Sequence, residues 1–103
     1  MSINVIAEIG INHHGHKNKA LRLIEHAYNS GCWGVKFQYR NNDFFATNDE
    51  MGSTLIREEL ESSNLNQNWI PELISYSKKL KLKVGFSFFR IKDLDEFFSN
   101  DYE

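Results

Sequence analysis

The sequence predicts an α/β fold built on a parallel sheet, and three observations predict it. Three short apolar runs of strand length, residues 5–9, 35–39 and 83–89, recur along the 103 residues. Segments with helical apolar spacing separate them. The first strand, helix and second strand fit within 35 residues, the length of a βαβ unit, whose crossover is almost always right-handed. This alternation is compatible with a (β/α)8 barrel or with an open doubly wound sheet.

Residues 5–9 carry one charge, Glu8, and read as a buried parallel strand. Asn12 to Lys17 is a polar loop. Ala20, Leu21, Leu23, Ile24, Ala27 and Tyr28 then share one face of a helix, and Gly31 is placed to end it as the C′ residue. Residues 35–39 form the second strand. The connection from Arg40 to Asn64 is long where about two to six residues are usual, and long connections of this kind tend to carry function. It contains a predicted helix over 54–60, with Ser53 as N-cap. A firmer helix runs over 69–80. Asn66 or Asn68 caps it, Pro71 is tolerated in its first turn, and Ile70, Leu73, Ile74 and Leu80 form its apolar face with Ser77 in line. The third strand is 83–89. A helix over 93–99 follows, with Leu94, Phe97 and Phe98 expected to face the sheet.

A complete barrel needs eight strands and about 250 residues. Three strands leave two open edges. The pattern therefore reads as the first two and a half β/α units of something larger. The formal charge is −2, so no global field favours nucleic acid or an anionic membrane. Lys78, Lys79, Lys81 and Lys83 form a local basic run that suits a helix C-terminus and solvated edges. Cys32 is the sole cysteine, which excludes an intrachain disulfide, and reads as a small core residue. No run approaches the about 18 apolar residues of a membrane span, and the N-terminus lacks the pattern of a signal peptide. The expected compartment is the cytoplasm.

Side chains alternate across a strand. By that parity Glu8, Lys36, Gln38 and Ser87 share the side away from the helices, near the C-terminal ends of the strands. Active sites of barrels and of open α/β sheets lie at that end. Lys36 is a compact cation suited to a phosphate or carboxylate. Glu8 can accept hydrogen bonds from sugar hydroxyls, or move a proton if burial raises its pKa. Gln38 and Asn12 can orient a polar substrate. A structural Glu8–Lys36 pair inside the sheet is the competing reading, and such a pair is costly to bury. His13, His14 and His16 raise a metal site, but no cysteine or full ligand set accompanies them; a solvated loop or substrate contacts fit better. Trp33, Trp69 and most phenylalanines read as core, whereas Phe44 and Phe45 could cover a ligand from the long loop.

Two motifs resemble a known family. Ala7-Glu8-Ile9-Gly10-Ile11-Asn12-His13-His14-Gly15 and Gly34-Val35-Lys36-Phe37-Gln38 resemble the start of the sialic acid (N-acetylneuraminate) synthase family, including its relatives that make pseudaminic and legionaminic acids. The resemblance implies a (β/α)8 barrel that condenses phosphoenolpyruvate with an N-acetylated sugar, such as N-acetylmannosamine. It implies Glu8 as the catalytic carboxylate and sugar contact, Lys36 holding phosphoenolpyruvate, Gln38 contacting the sugar, Ser87 in the substrate site, and Asn12 and His13 shaping the mouth. It also implies Mn2+ or Mg2+ in the complete enzyme, with ligands on later strands, and a C-terminal antifreeze-like domain outside this chain. The open strand edges favour self-association, so a homo-oligomer is expected. The 103-residue chain alone is then expected to be inactive.

Two departures stand out. The family often continues Thr-Phe after Phe-Gln, where this chain has Tyr39-Arg40. Many members read Ser-Thr-Pro-Phe-Asp after the third strand, where it has Ser87-Phe88-Phe89-Arg90-Ile91. Two other readings of the chain are a non-catalytic interaction module and a metal-dependent hydrolase-type barrel fragment using the histidines.

Overall fold

The structure, a computed structural model, describes residues 3–41, 54–100 and 102. The elements run β1 (Ile6–Gly10), α1 (Lys17–Asn29), β2 (Gly34–Tyr39), α2 (Thr54–Ser62), a 3-10 turn (Gln67–Trp69), α3 (Ile70–Lys79), β3 (Lys83–Phe88) and α4 (Ile91–Ser99). Ser53, Phe44 and Phe45, to which the sequence assigned a cap and a cover, lie outside the described residues.

The three strands are parallel and adjacent in the order β1-β2-β3. Val35, Phe37 and Tyr39 are buried on one face of β2, while Lys36 and Gln38 are only partly covered on the other. α1 contacts β1 and β2, and α3 and α4 contact β3. The apolar side chains of α1 and α3 (Ala20, Ile24, Leu73, Ile74) join Ile9, Val35, Phe37 and Tyr39 in one core. Phe97 of α4 reaches the same core through Tyr39, Phe86 and Phe88, with ring centroids 5.4, 4.8 and 5.2 Å away. Among the described residues the core thus fills one face of the sheet and leaves the other open. Each such fully buried side chain contributes about 1.5–3 kcal/mol.

Helix ends follow the chemistry read from the sequence. Gly31 has φ +81° and ends α1: its N–H donates to the Tyr28 carbonyl and the Cys32 N–H to the Ala27 carbonyl, the pair of hydrogen bonds of a Schellman motif. The same pair closes α3, where Lys81 (φ +61°) stands in the glycine position and donates to Lys78, while Leu82 donates to Ser77. Asn66 caps the 3-10 turn by accepting from the Asn68 N–H, and α3 begins just after, with Pro71 in its first turn. Trp69 therefore belongs to the turn rather than to the α-helix predicted over 69–80.

Other boundaries move for physical reasons. β1 runs one residue later than predicted because a bulge between Glu8 and Gly10 carries pairing on to Phe37. α4 starts at Ile91, two residues before the predicted start, and the Asp93 carboxylate sits in its first turn. Three aromatics read as core or as part of a buried face are exposed. Phe98 is 69% exposed because α4 turns Phe97, not Phe98, to the sheet, and Tyr28 and Trp33 are about half exposed.

Candidate active site at the open sheet face

The register places the predicted residues together. Glu8 pairs with Lys36, Lys36 with Gly85, and Gln38 with Ser87. All five occupy one face. Lys36 Nζ lies 2.8 Å from Glu8 Oε2, with both side chains about half exposed (42% and 50%). An exposed pair of this kind contributes about 0–1 kcal/mol, too little to explain two opposite charges on the face of a sheet. Its carboxylate and ammonium remain available to solvent, and hence to a ligand.

Gly10 creates the room beside them. Its φ is +54°, in the left-handed region that favours glycine, and it ends the bulged strand. A Cβ added there would lie 3.2 Å from Glu8 Oε1 and 3.5 Å from Gln38 Nε2. The glycine therefore lets the carboxylate of β1 and the amide of β2 approach each other over the strand end. At Gly85, beneath Lys36, an added Cβ would meet Lys36 Cγ at an ordinary contact distance of 4.0 Å.

Asn12 is exposed in the turn after β1, where its N–H donates to the Ile9 carbonyl. His13 is elsewhere. It is fully buried, on the helix side of the sheet, with its ring 6.3 Å from Phe37 and 6.0 Å from Trp69. Its Nδ1 accepts from the Gly15 N–H at 3.0 Å, so the ring proton sits on Nε2, which has no hydrogen-bond partner among the described residues. Burial, reinforced by the positive charges of His14, His16 and Lys19, pulls its pKa down to about 4. His14 and His16 are exposed. The three imidazoles diverge, and among the described residues no group of three His, Cys, Asp or Glu could hold a metal ion.

Three functional candidates escaped the sequence reading. Arg40 follows β2, and Arg90 follows β3 by two residues. Asp93, fully buried, accepts from Arg90 Nε at 3.1 Å, from Arg90 Nη2 at 2.6 Å and from the Asn41 N–H at 3.3 Å. It ties the end of β2 to the start of α4. Arg40 is only 8% exposed; burial lowers its pKa, and Asp93 opposes that shift. The available signal was an arginine just beyond each of two parallel strands, at the end where anions bind.

No protein-family model matches the chain, and no curated protein matches it. Solved structures do. An N-acetylneuraminic acid (sialic acid) synthetase from Leptospira borgpetersenii, in complex with citrate, matches 96% of this chain with a TM-score of 0.80 and 22% identity. A spore coat polysaccharide biosynthesis protein from Bacillus subtilis also matches 96%, with a TM-score of 0.70 and 27% identity. A Chromobacterium violaceum protein assigned to the same biosynthesis matches 99%, with a TM-score of 0.74 and 23% identity. The chain spans 33%, 27% and 32% of those three proteins. Its structural neighbours are thus a sialic acid synthase and spore coat polysaccharide biosynthesis proteins, in keeping with the family that its two motifs resemble.

Proposed function

We propose that this chain forms one edge of the active site of a phosphoenolpyruvate-dependent synthase of nonulosonic acids. The observation that carries the reading is the Glu8–Lys36–Gln38–Ser87 array on the face left open by the helices. A sheet in the order β1-β2-β3 with its core on one face suits the wall of a (β/α)8 barrel. A doubly wound sheet would cover both faces. An apolar groove of about 660 Å³ along β3, lined by Val84, Phe86, Phe88, Phe97 and Phe98, is where a fourth β/α unit would pack. Further units, an antifreeze-like domain, homo-oligomerisation and a cytoplasmic location belong to the same proposal, as does inactivity of the 103 residues alone.

In the reaction, C3 of phosphoenolpyruvate attacks the carbonyl carbon of the open-chain N-acetylated sugar. Water adds at C2, and phosphate leaves by C–O cleavage. Lys36 would exchange its Glu8 partner for the phosphate or carboxylate of phosphoenolpyruvate. Citrate bound to the Leptospira protein is a ligand of the same anionic class. Glu8, released from Lys36, would accept hydrogen bonds from the sugar hydroxyls or take up a proton. Gln38, Ser87 and Asn12 would orient polar groups. His13 would act from behind, holding Gly15 and with it the loop that carries Asn12. Mn2+ or Mg2+ supplies polarisation of the sugar carbonyl when bound, but the described residues do not form a site for it.

Calorimetric titration with phosphoenolpyruvate tests the reading. The chain is expected to release heat on binding, and Lys36→Ala to abolish it while leaving the melting temperature nearly unchanged, since the half-exposed pair contributes little to stability. Equal binding by Lys36→Ala, or no binding at millimolar ligand, contradicts it.

A further inference from the structure

Arg40 is a buried cation at the mouth of the open face. A guanidinium has five donors and no acceptor. Here Nη2 donates to Gln38 Oε1 at 3.4 Å, and the guanidinium carbon lies 4.2 Å from the centre of the Phe89 ring. Asn64 Nδ2 donates to the Arg40 carbonyl at 3.1 Å and anchors its backbone. A glutamine amide can flip, exchanging its acceptor for its donor. Because the guanidinium cannot accept, it bonds only the flip that turns Oε1 towards it. Nε2 then faces the Gly10 position, beside Glu8 Oε1.

We infer that Arg40, resting on Phe89, is a positioning residue that locks the Gln38 amide with its N–H donors towards the Glu8–Gly10 edge, so that this site takes a ligand presenting an oxyanion or other acceptor oxygen there. The two departures from the family pattern, Tyr39-Arg40 and Phe88-Phe89-Arg90, are then one unit, because the side chain of one lies on the ring of the other. The ligand half of the inference rests on the proposed function. The locked amide does not.

Nuclear magnetic resonance on the chain tests the lock without ligand. The Gln38 side-chain N–H protons should show a through-space contact to a Gly10 Hα, and Arg40→Met should remove it. Phe89→Ala should weaken it, and because Phe89 is 48% exposed that variant keeps the test decisive if Arg40→Met does not fold. A contact unchanged in both variants, or in Phe89→Ala alone where Arg40→Met is unfolded, overturns the inference. In phosphoenolpyruvate titrations, Arg40→Met and Gln38→Ala should each weaken binding about tenfold, and the double variant no more than Gln38→Ala alone. Additive losses show that Arg40 acts by charge and not through Gln38, and overturn it. If the parent chain binds no phosphoenolpyruvate, the proposed function fails while the resonance contact still decides the lock.

Discussion

Gly15→Ala is expected to destabilise the protein by about 3 kcal/mol or more, whereas Gly31→Ala should cost about 1–2 kcal/mol. Both glycines lie in the left-handed region, with φ +78° and +81°, so both variants carry the backbone penalty of a Cβ there. They differ in surroundings. A Cβ at Gly31 meets nothing within 4 Å among the described residues, but one at Gly15 would collide with the Ser62 carbonyl oxygen. That neighbour is backbone at the end of α2 and cannot rotate away. The loop after β1 must then move off α2, or α2 must shift. Gly15 also donates to His13 Nδ1, so the displacement reaches the buried imidazole and the turn that presents Asn12. Urea unfolding of the two variants measures the difference. Equal losses would show that the loop and α2 do not meet as closely as the structure places them.

Acid should weaken the fold through His13. The unfolded imidazole titrates near 6.5 and the folded one at about 4. The folded pKa of a base is depressed, so the unfolded state binds the proton first as pH falls. Stability from this residue is complete above pH 6.5, declines between 6.5 and about 4, and is level below 4. The full loss is about 3 kcal/mol. The Nδ1 bond to Gly15 explains the direction, together with an Nε2 that has no partner among the described residues: a second proton on Nδ1 would cost the ring the bond it makes. His13→Asn offers an acceptor to Gly15 but no titration. Its stability should be lower at neutral pH, from the smaller side chain, and flatter between pH 6.5 and 5. Parallel pH profiles for the two proteins would remove His13 from this role.

Much of the site was legible because a strand has a period of two. Once residues 35–39 are a strand, Lys36 and Gln38 must oppose Val35, Phe37 and Tyr39, and the register adds Glu8 and Ser87 to their side. Local backbone chemistry was legible too, as Gly31 shows. What stayed hidden depends on contacts distant in sequence. His13 and Asn12 are adjacent in a polar loop, yet one is buried against Trp69 and the other exposed. Nothing in the spacing separates them. Phe97 and Phe98 differ only in how α4 rotates on β3. Arg40 and Phe89 are 49 positions apart and meet only because β2 and β3 are neighbours in register. The bulge before Gly10 needs the paired strand to be seen.

The central claim is that the open sheet face binds an anionic substrate. Its most direct test is a map of backbone and side-chain resonances during addition of phosphoenolpyruvate. The account expects the largest shifts at Glu8, Gly10, Lys36, Gln38 and Ser87, with Ile24, Leu73 and other core residues unmoved. Shifts centred instead on the helix side of the sheet, or no shifts at millimolar ligand, would contradict it.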